Sequence, residues 1–498
     1  MAYSVRRRGR SLIRGRSWIW PGLAFILCAA AVAWPSMVLP VIGGALLLAA
    51  AVFFPRTTVG LAVLAIVFVR TLQHLVPIEQ LQYLDEVMVV LCAVVLPLRR
   101  LGQGQRLRSL PGQGWFVTFA VFGFASGGVA GVTPTILLLG AFLLCKGLIF
   151  GWAVAQLDWT DRHLHAAARA GVAVIGVSLL AVAANVVVQG AWIGLLANTG
   201  SVDYRFGFPA LIGPFVHPLD LGSVMTASSI ALLAWRSTVS KHPLTLFLMI
   251  ATGAAAVLSL RRTAVSGLLV AAVWLKVKLR DTRQLLVLAV VVPIAVVLLF
   301  GPLQTLLSLT YDAYIVDAGS SARTVLTADS FSLAVQHFPF GAGFGRFGSE
   351  VAAVNYSPEY LARGYPGIYG LGTTRLTGQF LTDTEWPAVV GETGLLGAGA
   401  FVLGLVAVYR RGHQLWKSGA SPLMRWAGLL VTGWIVAYLV ESIANPVFTG
   451  PPAYGPLFAL FGIVAAVSSR ETGPARTPEE RAAAWHERLR ALRIVRSP

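Results

Sequence analysis

Charge is what this sequence has least of. Only 12% of its residues are Asp, Glu, Lys or Arg, while 56% are hydrophobic and the mean hydropathy is +0.73. A soluble domain carries roughly a quarter charged residues, so an ordinary soluble protein is excluded. Acidic residues are scarcer still: 21 Asp+Glu stand against 39 Lys+Arg, a formal net charge of +18. In a soluble protein that excess would point to nucleic acid. Here the basic residues fall in short runs between apolar segments, as in the cytoplasmic loops of a multi-spanning membrane protein, and no nucleic-acid partner is expected. Cysteine is nearly absent. Cys28, Cys92 and Cys145 all lie inside apolar runs without partner-like spacing, which argues against a disulfide framework and against a metal site. The chain has no repeat at a fixed period, no zinc motif, no P-loop and no Ser-His-Asp arrangement, and no cofactor is expected.

What the chain does have is apolar segments of about 20 residues, the length of a helix that crosses a bilayer. They fall near 18–35, 37–54, 58–76, 84–98, 115–131, 134–155, 166–189, 213–235, 243–260, 263–280, 284–302, 387–409, 423–443 and 453–468. The expected fold is an all-α polytopic membrane protein of about fourteen transmembrane helices with one large extracytoplasmic loop. With the N-terminus inside, alternate connections carry Arg56, then Arg99, Arg100, Arg106 and Arg108, then Arg162, then Arg236 and Lys241, then Lys276, Lys278, Arg280 and Arg283, then Arg410, Arg411, Lys417 and Arg425. The opposite connections are nearly free of Lys and Arg. Both termini are therefore expected in the cytoplasm and the protein in the inner or plasma membrane. The run Arg6-Arg-Arg8 before Trp18 to Trp34 has no small-residue cleavage site after it and reads as an uncleaved first span.

The interval from Gln304 to Glu385 is the longest departure from apolar sequence. It divides the chain into a membrane domain over 1–302 with about eleven spans, an extracytoplasmic loop over 303–386, a second membrane domain over 387–468 with about three spans, and a basic tail over 469–498. In the tail, Thr477-Pro-Glu-Glu480 opens a helix that places Ala482, Trp485, Leu489 and Leu492 on one face, suited to lying on the inner leaflet.

The informative arginines are those that break the charge pattern. Arg205, Arg261, Arg262, Arg323, Arg346, Arg363 and Arg375 fall on the external side. An Arg at mid-bilayer costs about 2.5–3.5 kcal/mol and persists where it pairs or faces a wet cavity. Arg261 and Arg262 either reach lipid headgroups, pair with Asp220 or Glu392, or form an external anion site, since the planar guanidinium fork suits phosphate oxygens. Asp383 and Glu385 precede the next span at Trp386-Pro387 and are the acidic candidates at that surface. Lys146, deep in the sixth span, either lines a polar cavity or pairs with a neighbouring helix. His217 before Pro218 reads as a capping residue at a helix start or as a base. Glu441 reads as helix packing or substrate contact. The tyrosines between Tyr356 and Gly378 either stack on sugars or fill an irregular loop. Gly343-Phe-Gly-Arg-Phe-Gly348 fits G-x-G-x-x-G, but it follows no strand and reads as a tight turn.

Four of these stretches, in order, carry a resemblance. Arg205 with Gly213-Pro-Phe-Val-His-Pro-Leu-Asp-Leu-Gly222, then Ser259-Leu-Arg-Arg-Thr-Ala264, then Ser320-Ser-Ala-Arg323 with His337-Phe-Pro-Phe-Gly-Ala-Gly-Phe-Gly345, then Asp383-Thr384 with Glu392-Thr-Gly-Leu-Leu-Gly397 resemble the signature stretches of the O-antigen ligase and polysaccharide polymerase family. The resemblance covers roughly residues 200–400. It implies a metal-independent glycosyltransferase that takes a polyprenyl-diphosphate-linked glycan as donor and passes the sugar chain to a hydroxyl of a glycan or lipid acceptor, on the outer face of the membrane and within a polysaccharide assembly system. On that resemblance Arg205, Arg262 and Arg323 bind diphosphate, Asp383 or Glu385 is the base, and Arg261, His217 and Glu392 support the site. The family has His where this chain has Asp383, which favours a polymerase or another glycan transferase over the ligase. The alternative class is a transporter of a lipid-linked glycan or small anion, for which Lys146 and the many spans speak.

Overall fold

The structure, a computed structural model, describes residues 35–76, 78–196, 204–205, 208–279, 321–374 and 376–471. The expected eleventh span, the tail helix, Arg375 and all but the end of the expected first span lie outside these residues. The chain parts into two units, 1–58 and 59–498. The first contains α1 (Pro35–Phe53) and the start of α2 (Pro55–Leu75). The second continues with α3 (Leu84–Gly102), α4 (Gln113–Val129), α5 (Pro134–Ala155), α6 (Asp161–Val187), α7 (Gln189–Leu196), α8 (Pro218–Thr238), α9 (Pro243–Leu258) and α10 (Arg262–Leu279). After the polar interval come α14 (Trp386–Ser418), α15 (Pro422–Glu441) and α16 (Tyr454–Glu471); the interval itself holds α11 (Ala322–Gln336), α12 (Glu350–Val354) and α13 (Pro358–Ala362). A two-residue ladder pairs Arg205 with Phe208 and Tyr204 with Pro209.

Among the described residues, seven helices are long and apolar enough to cross a membrane. The starts of three of these, and of the shorter α9, follow from local chemistry. Thr133-Pro134, His217-Pro218, His242-Pro243 and Ser421-Pro422 each place a cap residue before a proline at the first helical position, where the missing N–H costs nothing. Their ends run past the apolar sequence: α14 continues through Arg410 and Arg411 to Ser418, because the backbone ladder persists in water until a breaker stops it.

Within the second unit α14 packs against α4, α11 and α15, while α16 packs on α5 and α9 on α8. The polar interval has a small core of its own, built from Leu326, Leu333, Phe347, Tyr360, Tyr365, Leu371 and Leu381. Tyr360 and Tyr365 stack at 5.3 Å and are fully buried, so these two tyrosines are core; Tyr369 alone of this group is strongly exposed.

The glycine run of this interval closes a break in α14. Gly394 has φ +72° and ψ 178° inside that helix, which frees the carbonyls before it. The Ala342 and Gly343 N–H groups donate to the Gly391 and Glu392 carbonyls at 2.8 and 2.9 Å. Irregular backbone among apolar helices is tolerated where protein satisfies it in this way. A Cβ on Gly343, whose φ is +92°, would fall 2.4 Å from the Cα of Gly127. The G-x-G-x-x-G match is thus a set of turns whose backbone lies directly on a helix.

Candidate functional site

The site is assembled at the ends of several helices by backbone fixtures. Asn185 Oδ1 accepts from the Ile212 and Gly213 N–H groups, Trp192 Nε1 donates to the Gly213 carbonyl, and Thr71 Oγ1 donates to the Pro214 carbonyl at 2.9 Å. These bonds hold the loop that ends at His217. The Leu211 N–H donates to the Leu258 carbonyl, tying the same loop to the turn between α9 and α10 that carries Arg261 and Arg262. From the other side α11 brings Arg323, and the segment entering α14 brings Asp383.

Arg323 Nε donates to Asp383 Oδ2 at 2.7 Å, and its Nη2 donates to the same oxygen. The guanidinium also lies over the Phe380 ring at 5.4 Å. Burial pushes the Asp383 carboxyl above its ordinary range; Arg323 pulls it back, with a smaller contribution from Arg261. Arg261 Nη2 lies 3.4 Å from His217 Nε2, while His217 Nδ1 accepts from the Leu219 N–H at 3.2 Å. A neutral imidazole has one acceptor nitrogen, so it serves either contact and has no second lone pair for a substrate proton. His217 therefore acts as cap and neighbour to Arg261.

Arg70 completes the group. Its Nη1 donates to Asp220 Oδ1 at 2.8 Å; Asp220 is 3% exposed and Arg70 44%. Arg261 is also within electrostatic reach of Asp220. The cluster therefore holds Arg70, Arg261 and Arg323 against Asp220 and Asp383, with Arg262 adjoining as the first residue of α10. Arg323 and Asp383 are 36% and 22% exposed. Such a group can receive an anion. Arg205 sits in the first strand of the ladder, upstream of the held loop.

Two expected site residues serve the backbone instead. Glu385 is buried; its Oε2 accepts from the Phe448 N–H at 3.0 Å and from Thr449 Oγ1 at 3.4 Å. Burial pushes its carboxyl up to about 7, against the opposing pull of those bonds. Glu392 is fully buried, and its Oε1 accepts from the Phe347 N–H at 3.0 Å and from Ser349 Oγ at 2.5 Å. It pins the glycine run rather than an arginine. Trp386 Nε1 donates to Ser442 Oγ at 3.0 Å, fixing the first turn of α14 beside the end of α15.

Lys146 pairs with neighbouring helices, one of the two alternatives the sequence left. Its Nζ donates to Asp85 Oδ2 at 2.9 Å and to Glu86 Oε1 at 2.6 Å, and it lies 4.9 Å from the Tyr454 ring. The Tyr454 hydroxyl donates to the same Asp85 oxygen at 2.8 Å. Among the described residues no group of His, Cys, Asp and Glu could hold a metal ion.

Sequence reasoning missed Arg70. The signal was present: in a span that starts beside Arg56, which the charge pattern puts on the inner side, an arginine near the far end breaks that pattern as Arg261 does. No protein-family model matches the chain, and no curated protein matches it. The resemblance stated above is therefore carried by its motifs alone.

Proposed function

We propose that the chain is a membrane glycan transferase or polymerase that uses a polyprenyl-diphosphate-linked oligosaccharide on the outer face of the plasma membrane, with about fourteen spans and both termini in the cytoplasm. The observation that carries this reading is the bond between Arg323 and Asp383, sixty positions apart in the sequence, at a partly exposed place where Arg261 also acts on the Asp383 carboxyl. The arginines stabilise charge that develops on the diphosphate as it leaves, the task of arginine clamps in phosphoryl chemistry. Asp383 takes the acceptor proton.

The pairing of Arg323 with Asp383 suggests how the two tasks are coupled. While Arg323 holds the carboxylate, Asp383 is a poor base. A donor diphosphate competes for the guanidinium, and release of Arg323 raises the proton affinity of a carboxyl that burial already favours as the acid. The acceptor oxygen then forms a bond to the anomeric carbon, the bond from that carbon to phosphate oxygen breaks, polyprenyl diphosphate leaves with the electron pair, and the proton passes to Asp383 and on to water.

The test is transfer by the purified full-length protein from a synthetic polyprenyl-diphosphate oligosaccharide, read as longer glycan by gel or mass spectrometry. Lengthening without added metal or nucleotide sugar is expected. No transfer with any supplied acceptor, combined with movement of the labelled donor across a liposome bilayer, would establish the transporter instead. The buried Lys146, Asp85, Glu86 and Tyr454 group inside the bundle is the feature that favours this second reading.

A further inference from the structure

The longest helix has a second charged place at its other end. From Trp386 to Arg410, α14 rises about 36 Å at 1.5 Å per residue, more than the ~30 Å hydrocarbon core of a bilayer. The Arg410 turn therefore lies across the membrane from the Asp383 cluster, at the end that the charge pattern assigns to the cytoplasm.

Here the start of α4 abuts α14 so closely that a Cβ on Gly112 would fall 2.8 Å from the Ala407 Cβ. Between these helices and the last turns of α16 lies a cavity of about 590 Å³. Arg410, Arg411, Ser109, Ser469, Leu403 and Trp115 are among its lining residues, and among the described side chains no carboxylate is. Arg411 is engaged: it donates to the Ser468 carbonyl at 3.0 Å and to Gln414 Oε1 at 3.3 Å. Arg410 is exposed and makes no hydrogen bond or ion pair among the described residues. Trp115 and Leu403 are both exposed apolar walls of the same cavity.

We infer that this cavity binds an anionic membrane lipid, its headgroup phosphate on Arg410 and Arg411 and an acyl chain along Leu403 and Trp115. Two guanidiniums without a carboxylate call for an anion, and a guanidinium fork matches phosphate oxygens. The volume exceeds what a bare phosphate fills and suits a headgroup with its glycerol. The apolar wall selects a lipid over a free anion, which gains nothing from it. An indole at the rim is also the usual side chain at headgroup depth. Basic pockets between spans on the cytoplasmic side are recurrent sites for such headgroups. The site stands apart from the proposed transferase chemistry and does not depend on it.

The experiment counts lipids bound to the purified full-length protein by native mass spectrometry. Phosphatidylglycerol and phosphatidylcholine with the same acyl chains are titrated, with and without millimolar inorganic phosphate. The wild type is expected to retain phosphatidylglycerol over phosphatidylcholine, and Arg410→Gln to bind it about five- to tenfold more weakly, the effect of one cation near an anionic lipid. Lys417→Gln, which removes an exposed charge of the same helix outside the lining, should bind as wild type does. Equal retention of the two lipids, an unaffected Arg410→Gln, or an equal loss in Lys417→Gln overturns the proposal. Displacement of phosphatidylglycerol by inorganic phosphate reassigns the cavity to a free anion and overturns it as well. Arg410 bonds to no described residue, so an unchanged melting temperature is expected and checks that the variant is folded.

Discussion

Two charged groups of this protein contain the same chemistry and are built to opposite ends. Around Lys146, one cation is held by Asp85 and Glu86, and the Tyr454 hydroxyl donates to Asp85, with Lys146 and Asp85 buried inside the bundle. Around Asp383, three arginines outnumber two aspartates, and Arg70 and Arg323 keep a third or more of their side chains open. The first group divides its one cation between two carboxylates and has no positive charge left for an anion. The second brings several guanidiniums to one place and leaves Arg70 and Arg323 open to an incoming anion. The difference separates a strut from a receptor more surely than the presence of an ion pair in either.

The comparison fails entirely if the two ends of α14 lie on one side of the membrane. A reporter fused after Gly348 should be extracytoplasmic and one after Gly412 cytoplasmic, an all-or-none result; identical locations would remove the basis for an external receptor. Next in size is Asp383→Asn, which keeps the shape and removes the base. Transfer should fall by about 10²–10⁴-fold, while Asp383→His restores part of it. Normal turnover by Asp383→Asn would move the proton to another group.

Lys146→Met tests the strut. It leaves the buried Asp85 and the partly buried Glu86 without their cation and should destabilise by about 3–5 kcal/mol, read as a lowered unfolding midpoint in detergent. The triple variant Lys146→Met, Asp85→Asn, Glu86→Gln should recover most of that stability with transfer intact. If transfer stays lost in the refolded triple variant, the group belongs to the chemistry. Arg262→Lys keeps charge but loses the fork, and transfer should fall roughly ten- to a hundredfold, on the order of one charge-assisted hydrogen bond.

The smallest effect sharpens the contrast between Asp383 and Glu385. Burial raises Glu385 from 4.5 to about 7, so the folded state binds its proton more tightly than the unfolded chain. Stability from this group is complete below pH 4.5 and is lost as pH rises through about 7. Melting temperature should decline over that window in the wild type and decline less in Glu385→Gln, whose amide oxygen still accepts from Phe448. An identical slope in both would place the titration elsewhere.

The class of fold was legible because a bilayer imposes length and apolarity on each span. The Xaa-Pro starts at Pro134, Pro218, Pro243 and Pro422 were legible because they are local. Partners were not. Lys146 finds Asp85 and Glu86 about sixty positions away, and Arg70 finds Asp220 farther still, through helix packing that periodicity does not encode. Arg323 was singled out as an external arginine and Asp383 as an acidic residue ahead of Trp386-Pro387, but that they bond to each other was not readable. Glu392 looked like a partner for arginine because a carboxylate in a span seemed to need a cation. In the structure backbone N–H and a serine hydroxyl meet that need.

The break at Gly394 gives the longest helix a joint. Upstream of it, the first two turns of α14 are fastened to the glycine run by the Gly391 and Glu392 carbonyls and by the Glu392 side chain, while downstream the helix belongs to the bundle. Asp383 stands at the foot of the fastened part. Asp383 thus stands beside a helix start gripped from two sides, by the glycine run and by the bonds of Trp386 and Glu385 to Ser442 and Phe448.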